Sequence, residues 1–143
     1  MSYTRVCIHY VWATKNRMPF LTKSLRHSLF AHIRRNAEDK KIKIDILNGH
    51  VDHIHCLVWL QPTQSIDQIA KLLKGESAHW LNHSSGLTNS KFQWQENYFA
   101  VSVSESMLYH VRAYIQNQEA HHQKRSFAQE YELFFQKYNF NKL

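Results

Sequence analysis

VDHIHCLVWL, residues 51–60, has the composition of a β-strand and carries two histidines one residue apart. Residues two apart in a strand project from the same face, so His53 and His55 point together, with their bases about 6.5–7 Å apart. The opposite face is apolar throughout and consists of Ile54, Cys56, Val58 and Leu60. This stretch therefore predicts a strand with one face toward a hydrophobic core and the other free for chemistry.

Hydrophobic periodicity on both sides of this strand predicts the other elements. Alternating or β-branched stretches predict strands at 5–14, 41–47 and 98–104. Apolar residues at helical spacing predict helices at 23–38, 66–80, about 104 onward and 127–138. Thr22 and Ser65 are the expected N-caps of the first two helices. The last-but-one helix is expected to face inward with Met107, Leu108, Val111 and Ile115.

The hairpin before the histidine strand has its own signals. Ile42, Ile44 and Ile46 alternate with Lys and Asp, which predicts a half-buried strand with all three isoleucines on one face. Asn48-Gly49 then predicts the turn. The resulting order is βαββαβ followed by a helix, an α+β class with a ferredoxin-like antiparallel sheet and helices on one face. We expect residues 1–143 to form a single domain.

Charge favours a polyanionic partner. The 143 residues hold 18 Lys and Arg against 11 Asp and Glu, a formal charge of +7, and aromatic residues make up 13%. This balance is typical of nucleic-acid binding, although many proteins are basic for solubility alone. Candidate contacts to the nucleic-acid backbone, which are solvated surface at least as often, are Lys15, Arg17, Lys71 and Lys74.

Cysteine use and hydropathy predict the compartment. Cys7 and Cys56 lie singly in apolar strands without Cys-x-x-Cys spacing, as expected of buried thiols in a reducing cytoplasm. No stretch approaches the roughly 20 apolar residues of a membrane span, and the first residues lack the layout of a signal peptide. We therefore expect a soluble, cytoplasmic protein with no membrane partner.

Two imidazoles on one strand face can share a metal ion, but most such pairs simply lie on a solvated sheet surface. A candidate partner is YIQNQ (114–118), where Tyr114 and Gln118 stack one helical turn apart. The glutamine carbonyl can serve as a third, neutral ligand, and the tyrosine can approach a substrate held by the same ion. Packing of the tyrosine on the core is the commoner role. Other histidines are expected at the surface, with phosphate contacts at best for the last two: His79, His83, His121 and His122.

Together, DHIH on a strand and YIQNQEAHH on a later helix resemble the single-tyrosine transposases of the insertion-sequence 200/605 family, which belong to the nucleases with a His-hydrophobe-His motif. The resemblance extends through HYVWATKNR, LKGESAHW and YFAVSVS, so it covers nearly the whole chain in order. Two small departures are Val51, where proline is common, and Ala78, where serine is usual.

By this resemblance, Tyr114 is the nucleophile on single-stranded DNA at the ends of a mobile element, while His53, His55 and Gln118 hold Mg²⁺ or Mn²⁺. The family implies recognition of subterminal DNA hairpins, a 5′-phosphotyrosine link and a free 3′-OH. It also implies a homodimer, in which the tyrosine helix can complete the active site of the other subunit.

Elementary chemistry agrees with such a scheme. A phenol with a pKa of about 10 is protonated at neutral pH and attacks poorly unless a cation polarises the phosphate. Two alternatives stay open at this point: a non-catalytic single-stranded nucleic-acid-binding module with an RNA-recognition-like βαββαβ fold, and a metal-binding or oligomerising protein with a histidine-rich surface. The first alternative requires exposed aromatic residues on the central strands, where this sequence has histidines.

Overall fold

The structure, a computed structural model, describes residues 2–83, 91–122 and 125–138. Four strands form one antiparallel sheet in the order β2-β3-β1-β4, with bounds β1 (Val6–Ala13), β2 (Lys43–Gly49), β3 (His53–Leu60) and β4 (Phe99–Val103). The helices are α1 (Lys23–Asp39), α2 (Ile66–His83), α3 (Leu108–Gln116), α4 (Gln118–His122) and α5 (Phe127–Tyr138). The predicted α+β, ferredoxin-like order is confirmed.

The helices α1, between β1 and β2, and α2, between β3 and β4, begin at their predicted caps. Thr22 Oγ1 accepts a hydrogen bond from the backbone N–H of Leu25 at 3.4 Å, and Ser65 Oγ accepts one from Gln68 at 3.0 Å. Each bond satisfies a backbone donor that the first turn of a helix leaves free. The caps therefore fix where the chain leaves the sheet and enters α1 and α2.

One face of the sheet packs against α1 and α2 and forms the main hydrophobic core. Ile54, Cys56 and Val58 of β3 are fully buried there, as their alternation predicted. The helices contribute residues at helical spacing, among them Leu29 and Ile33 of α1 and Ile69 and Leu73 of α2. This layer holds β3 rigidly from behind, so the side chains on its other face have fixed positions.

The second face of the sheet, which carries the histidines, is covered by the C-terminal helices. Leu108 and Ile115 of α3 pack on Cys7, Ile46 and Leu57. Phe127 of α5 packs on a separate cluster formed by Val11, Ala13 and Phe99. The histidine strand thus lies between two helical layers, and its polar face is enclosed.

A β-bulge in β2 overturns part of the predicted alternation. Ile44 pairs with Val58 and Ile46 with Leu57, so Asp45 is an extra residue in β2. The extra residue reverses the faces, and Ile46 therefore packs under α3 while Ile44 stays on the α1–α2 side. The expectation that all three isoleucines share one face was wrong for Ile46.

The bulged Asp45 connects β2 with α3. Its carboxylate accepts hydrogen bonds from Arg112 Nε at 2.8 Å and Arg112 Nη2 at 2.6 Å, and from Trp59 Nε1 at 3.0 Å. The guanidinium of Arg112, with the indole N–H of Trp59, holds the pKa of Asp45 below its ordinary value. The bulge therefore provides an acceptor that anchors the tyrosine-bearing helix to the sheet edge.

The turn between β2 and β3 lies two residues later than predicted. Asn48 and Gly49 still pair with His55 and Ile54, and the chain turns over residues 50–52. A Cβ at Gly49 would lie 2.3 Å from the backbone oxygen of His53, so only glycine permits this close approach. The Asn48-Gly49 signal therefore reports a close backbone contact at the strand end and not a two-residue turn.

The C-terminal half departs from the sequence expectation in two details. A short 3₁₀ turn, Glu105–Met107, precedes α3, and Met107 is exposed because it precedes the helix that buries Leu108. The helix also breaks at Asn117, so the tyrosine and the glutamine of YIQNQ lie on two successive helices. In the described part of the chain, none of the helices has the length and apolar character needed to cross a membrane.

Candidate active site

The two histidines of β3 lie side by side in the layer between the sheet and the C-terminal helices. His53 and His55 are both 0% exposed. The ring of Phe127 stacks on the His53 ring at 4.2 Å between centroids. A solvated surface pair is therefore excluded, and the two imidazoles form part of an enclosed polar cluster.

Both imidazoles are oriented through their Nδ1 atoms. Asp52 Oδ1 lies 2.9 Å from His53 Nδ1, and His9 Nε2 shares a hydrogen bond of 2.9 Å with His55 Nδ1. Such contacts fix ring orientation and turn the Nε2 atoms toward Gln118 and Glu130, an arrangement that is common around metal-binding histidines. Asp52 directly precedes the histidine pair in the sequence, whereas no local spacing relates His9 to it.

Gln118 lies where the sequence placed it, next to the histidine pair. Its Oε1 is 3.0 Å from His53 Nε2, and it is fully buried. Its Nε2 donates to the backbone oxygen of Tyr114 at 3.3 Å, which turns the amide oxygen toward the histidine. The amide is therefore oriented as a ligand would be.

Glu130 of α5 is the site residue that sequence reasoning missed. Its Oε1 lies 3.0 Å from His55 Nε2, and its Oε2 lies 3.5 Å from His53 Nε2. Only 3% of Glu130 is exposed. The residue stands at least 75 positions from either histidine, and only its place on the apolar side of an amphipathic helix, between Phe127 and Tyr131, could have indicated it.

Tyr114 brings its hydroxyl to the same carboxylate. The phenol O–H donates a hydrogen bond to Glu130 Oε1, and the tyrosine ring lies edge-on to His55 at 5.6 Å between centroids. Burial, and then the charge of Glu130, raise the pKa of Tyr114 above its usual range. Within one chain, therefore, a protonated phenol lies beside the histidine pair.

The protonation states favour a cation at this point. Burial lowers the pKa of His9 to about 3 and that of His55 to about 4, so both rings are neutral at pH 7. Burial alone would raise the pKa of Glu130, but hydrogen bonds from His122 and His55 hold it well below its ordinary value. The cluster thus combines the neutral imidazoles of His9 and His55 with an ionised carboxylate.

The donor atoms fit a divalent ion. One ligand atom each from His53, His55 and Glu130 lies within 4.8 Å of the other two. Glu130 Oε2 is buried, and imidazole nitrogens approach it from two sides, His122 Nε2 at 2.9 Å and His53 Nε2 at 3.5 Å. Imidazole nitrogens with oxygen ligands suit several first-row metals as well as Mg²⁺.

His122 departs from the surface role expected of it. Its Nε2 lies 2.9 Å from Glu130 Oε2 and 3.3 Å from Gln118 Oε1, because α4 turns back over the site after the break at Asn117. His79 and His83 are exposed on α2, as predicted. The side chain of His121 lies outside the described part of the structure.

The four predicted nucleic-acid contacts each have a partner within the protein. Lys15 donates to Gln93 Oε1 at 2.9 Å, and Lys71 pairs with Asp67 at 2.8 Å. The Lys74 ammonium donates to the backbone oxygens of residues 95, 96 and 97, at 2.8, 2.8 and 3.3 Å. Arg17 lies over the rings of Phe127 and Tyr131, and it alone of the four contacts α5.

The chain matches a known protein family and resembles characterised proteins in sequence. The family model described as "Transposase IS200 like" matches residues 2–118. The chain is 26% identical over 114 residues to the ISDra2 transposase TnpA of Deinococcus radiodurans, covering 77% of this chain and 81% of the relative. It is also 26% identical over 114 residues to the transposase for insertion sequence element IS200 of Salmonella typhimurium, covering 77% and 74%.

Solved structures share the fold. A crystal structure of a protein from Deinococcus radiodurans R1 assigned as a transposase superposes with a TM-score of 0.68 at 26% identity, over 82% of this chain and 93% of that one. A REP-associated tyrosine transposase bound to a REP hairpin superposes with a TM-score of 0.64 at 15% identity, over 85% and 72%. The second likeness, at such low identity, concerns the fold alone.

Proposed function

Because the chain belongs to the IS200-like transposase family, we propose that it cleaves and rejoins single-stranded DNA at the hairpin-flanked ends of a mobile element. The observation that carries this proposal is the hydrogen bond from the Tyr114 hydroxyl to Glu130, whose carboxylate also contacts the histidine pair. A relative by fold binds a REP hairpin, which supports hairpin DNA as the substrate class. The net charge of +7 suits such a polyanion.

Tyr114 is the nucleophile in this proposal. Its Oη forms a bond to the scissile phosphorus, the bond from phosphorus to the 3′ oxygen breaks, and the 3′ oxygen leaves as a hydroxyl after taking up a proton. The hydroxyl proton of Tyr114, which points at Glu130 Oε1 in this structure, is lost in the same step. The product is a 5′-phosphotyrosine link, and attack by a 3′-OH on that link rejoins strands without ATP.

His53, His55 and Gln118 are the proposed ligands of a divalent ion, Mg²⁺ or Mn²⁺. When bound, such an ion would polarise the phosphate and stabilise the negative charge that develops during attack. The chain itself orients the ligands through Asp52 and His9, and its helical layers exclude water from the site. Enclosure matters because electrostatic interactions are stronger away from bulk water.

The partner and location of the protein follow from the same features. We propose a homodimer in which each tyrosine works with the histidines of its own chain, since Tyr114 already reaches them. Lys15, Arg17, Lys71 and Lys74 remain proposed contacts to the DNA backbone. A reducing, cytoplasmic location is supported by two free, buried thiols, Cys7 and Cys56.

The non-catalytic alternative lacks support in the geometry. An RNA-recognition-like surface needs exposed aromatic side chains on β1 and β3. These strands instead place His9, His53 and His55 beneath α3 and α5. We therefore retain the transposase mechanism as the conclusion.

A covalent-adduct assay tests the nucleophile. Full-length protein is incubated with Mn²⁺ and labelled single-stranded hairpin DNA, and the denatured mixture is examined for a protein–DNA adduct. We expect Tyr114→Phe to abolish the adduct while DNA binding persists. Tyr109→Phe is the matched control, because Tyr109 lies on the same helix and is 78% exposed. An adduct that survives Tyr114→Phe contradicts the assignment.

A further inference from the structure

Glu130 belongs to neither of the motifs that carry the family resemblance, yet it contacts His53, His55, His122 and Tyr114. We propose that Glu130 is a further ligand of the divalent ion and that the ion thereby ties α5 to the sheet. The inference rests on the proposed function, because it assumes that His53 and His55 hold an ion. It adds a residue and a coupling that the His-His-Gln set does not contain.

Distances between donor atoms support a shared ion. In a six-coordinate site with bonds of about 2.1 Å, neighbouring ligand atoms lie roughly 3.0 Å apart. His55 Nε2 and Glu130 Oε1 are 3.0 Å apart, as are His53 Nε2 and Gln118 Oε1. His53 Nε2 and Glu130 Oε2 are 3.5 Å apart. The carboxylate therefore has the spacing of a ligand toward both imidazoles.

The burial of the carboxylate supplies a second argument. Glu130 is 3% exposed, and its ion pairs within the described residues are all with histidines: His53, His55 and His122. A buried carboxylate is costly unless a positive charge compensates it. The carboxylate oxygens face imidazole nitrogens and the Tyr114 hydroxyl, and a divalent cation between the imidazoles and the carboxylate would supply the compensating charge.

Coupling follows from where the ligands sit. His53 and His55 are on the sheet, whereas Glu130 is on α5, which otherwise packs through Phe127, Tyr131 and Phe135. An ion bound by both elements stabilises the docked position of α5 by mass action. By the same linkage, docking of α5 raises the affinity for the ion.

The first experiment measures ion binding without DNA. The full chain is titrated with Mn²⁺, and the free ion is quantified from its electron paramagnetic resonance signal. We expect Glu130→Gln to raise the Kd for Mn²⁺ at least about tenfold, since weaker changes around metal ligands already cost that much. Glu132→Gln is the matched control on the exposed side of α5 and should leave the Kd unchanged.

The second experiment measures the coupling. Hydrogen exchange of the α5 amides, followed by mass spectrometry, reports how often the helix leaves the sheet. Mn²⁺ should slow exchange over residues 127–138 in the parent protein and in Glu132→Gln. It should have little effect in Glu130→Gln. Because exchange is compared with and without ion in each variant, a general loss of stability does not imitate the result.

Two results would overturn the inference: unchanged or tighter Mn²⁺ binding by Glu130→Gln, or faster exchange of α5 when Mn²⁺ is added. The second result would mean that the carboxylate competes with the ion. His53→Ala distinguishes a failure of the Glu130 role from a failure of metal binding by the histidines. If His53→Ala abolishes Mn²⁺ binding and Glu130→Gln does not, only the role of Glu130 fails. If the parent protein binds no Mn²⁺, the metal dependence of the proposed function fails as well.

Discussion

At the residue scale, the site depends on the groups that orient the two histidines as much as on the histidines themselves. His9 is 3% exposed on β1 and meets His55 Nδ1 at 2.9 Å. An imidazole has two nitrogens, and engaging one of them determines which lone pair would face a bound ion. His9 is therefore a positioning residue for His55.

His9→Phe tests this role. The substitution keeps an aromatic ring but removes the hydrogen bond to His55, so we expect the Kd for Mn²⁺ to rise about tenfold. Free Mn²⁺ is again the measured quantity. The same substitution at His79, which is exposed on α2, should change nothing. Equal Kd values for His9→Phe and the parent protein would remove His9 from the site.

Residue patterns predicted the motif but not its neighbours. His53 and His55 were evident because strand geometry places alternate residues on one face, and Gln118 was evident because it follows Tyr114 by four residues in the sequence. His9 and Glu130 come from other elements, and no local spacing relates them to the strand. A carboxylate within the apolar stripe of α5 was the one available signal.

At the element scale, the hairpin from β2 to β3 positions the first histidine. Gly49 packs directly against the backbone of His53, because a Cβ at Gly49 would lie 2.3 Å from the His53 backbone oxygen. The bulge at Asp45 and the late turn both lie in this hairpin, and both escaped prediction because pairing depends on the partner strand. Helix bounds were predicted better because caps and periodicity are local, as at Thr22 and Ser65.

Gly49→Ala tests the close backbone contact within the β2–β3 hairpin. The added methyl group must displace the His53 backbone, and we expect the free energy of unfolding to fall by about 1–3 kcal/mol. Binding of Mn²⁺ should weaken in parallel. Gly75→Ala is the matched control, since among the described residues a Cβ there would meet no atom within 4 Å apart from its chain neighbours and the backbone of its own helix. There the helix should gain about 0.5–1 kcal/mol. Urea unfolding measures both values, and equal effects would refute the close-contact argument.

At the scale of the whole molecule, the fold assembles its site from the sheet and the C-terminal helices. The sheet supplies the histidines, α3 and α4 supply Tyr114 and Gln118, and α5 supplies Glu130. All these groups meet within one chain. A second copy is therefore not needed to bring the phenol to the imidazoles.

Mixing two inactive variants tests this assembly. Tyr114→Phe and His53→Ala proteins are combined, allowed to exchange subunits, and assayed for the covalent adduct. We expect the mixture to give no more adduct than either variant alone, because each chain lacks one half of its own site. Parent protein diluted to the same extent with Tyr114→Phe is the control for assay sensitivity. Recovery of adduct would show that sites are shared between subunits.

Finally, β3 lies between two helical layers. Odd positions such as His53 face the C-terminal helices, and even positions such as Ile54 face the core beneath α1 and α2. Inserting or deleting one amino acid in that strand would exchange the residues of its two faces. The imidazoles would then point into the hydrophobic core, and the aliphatic side chains would point toward the C-terminal helices. A substitution changes one side chain and leaves the others on their faces, whereas a change in length reverses the faces of all the residues beyond it. Genetic drift in this segment is thus restricted to replacements, and a single-codon gain or loss should abolish folding and activity together.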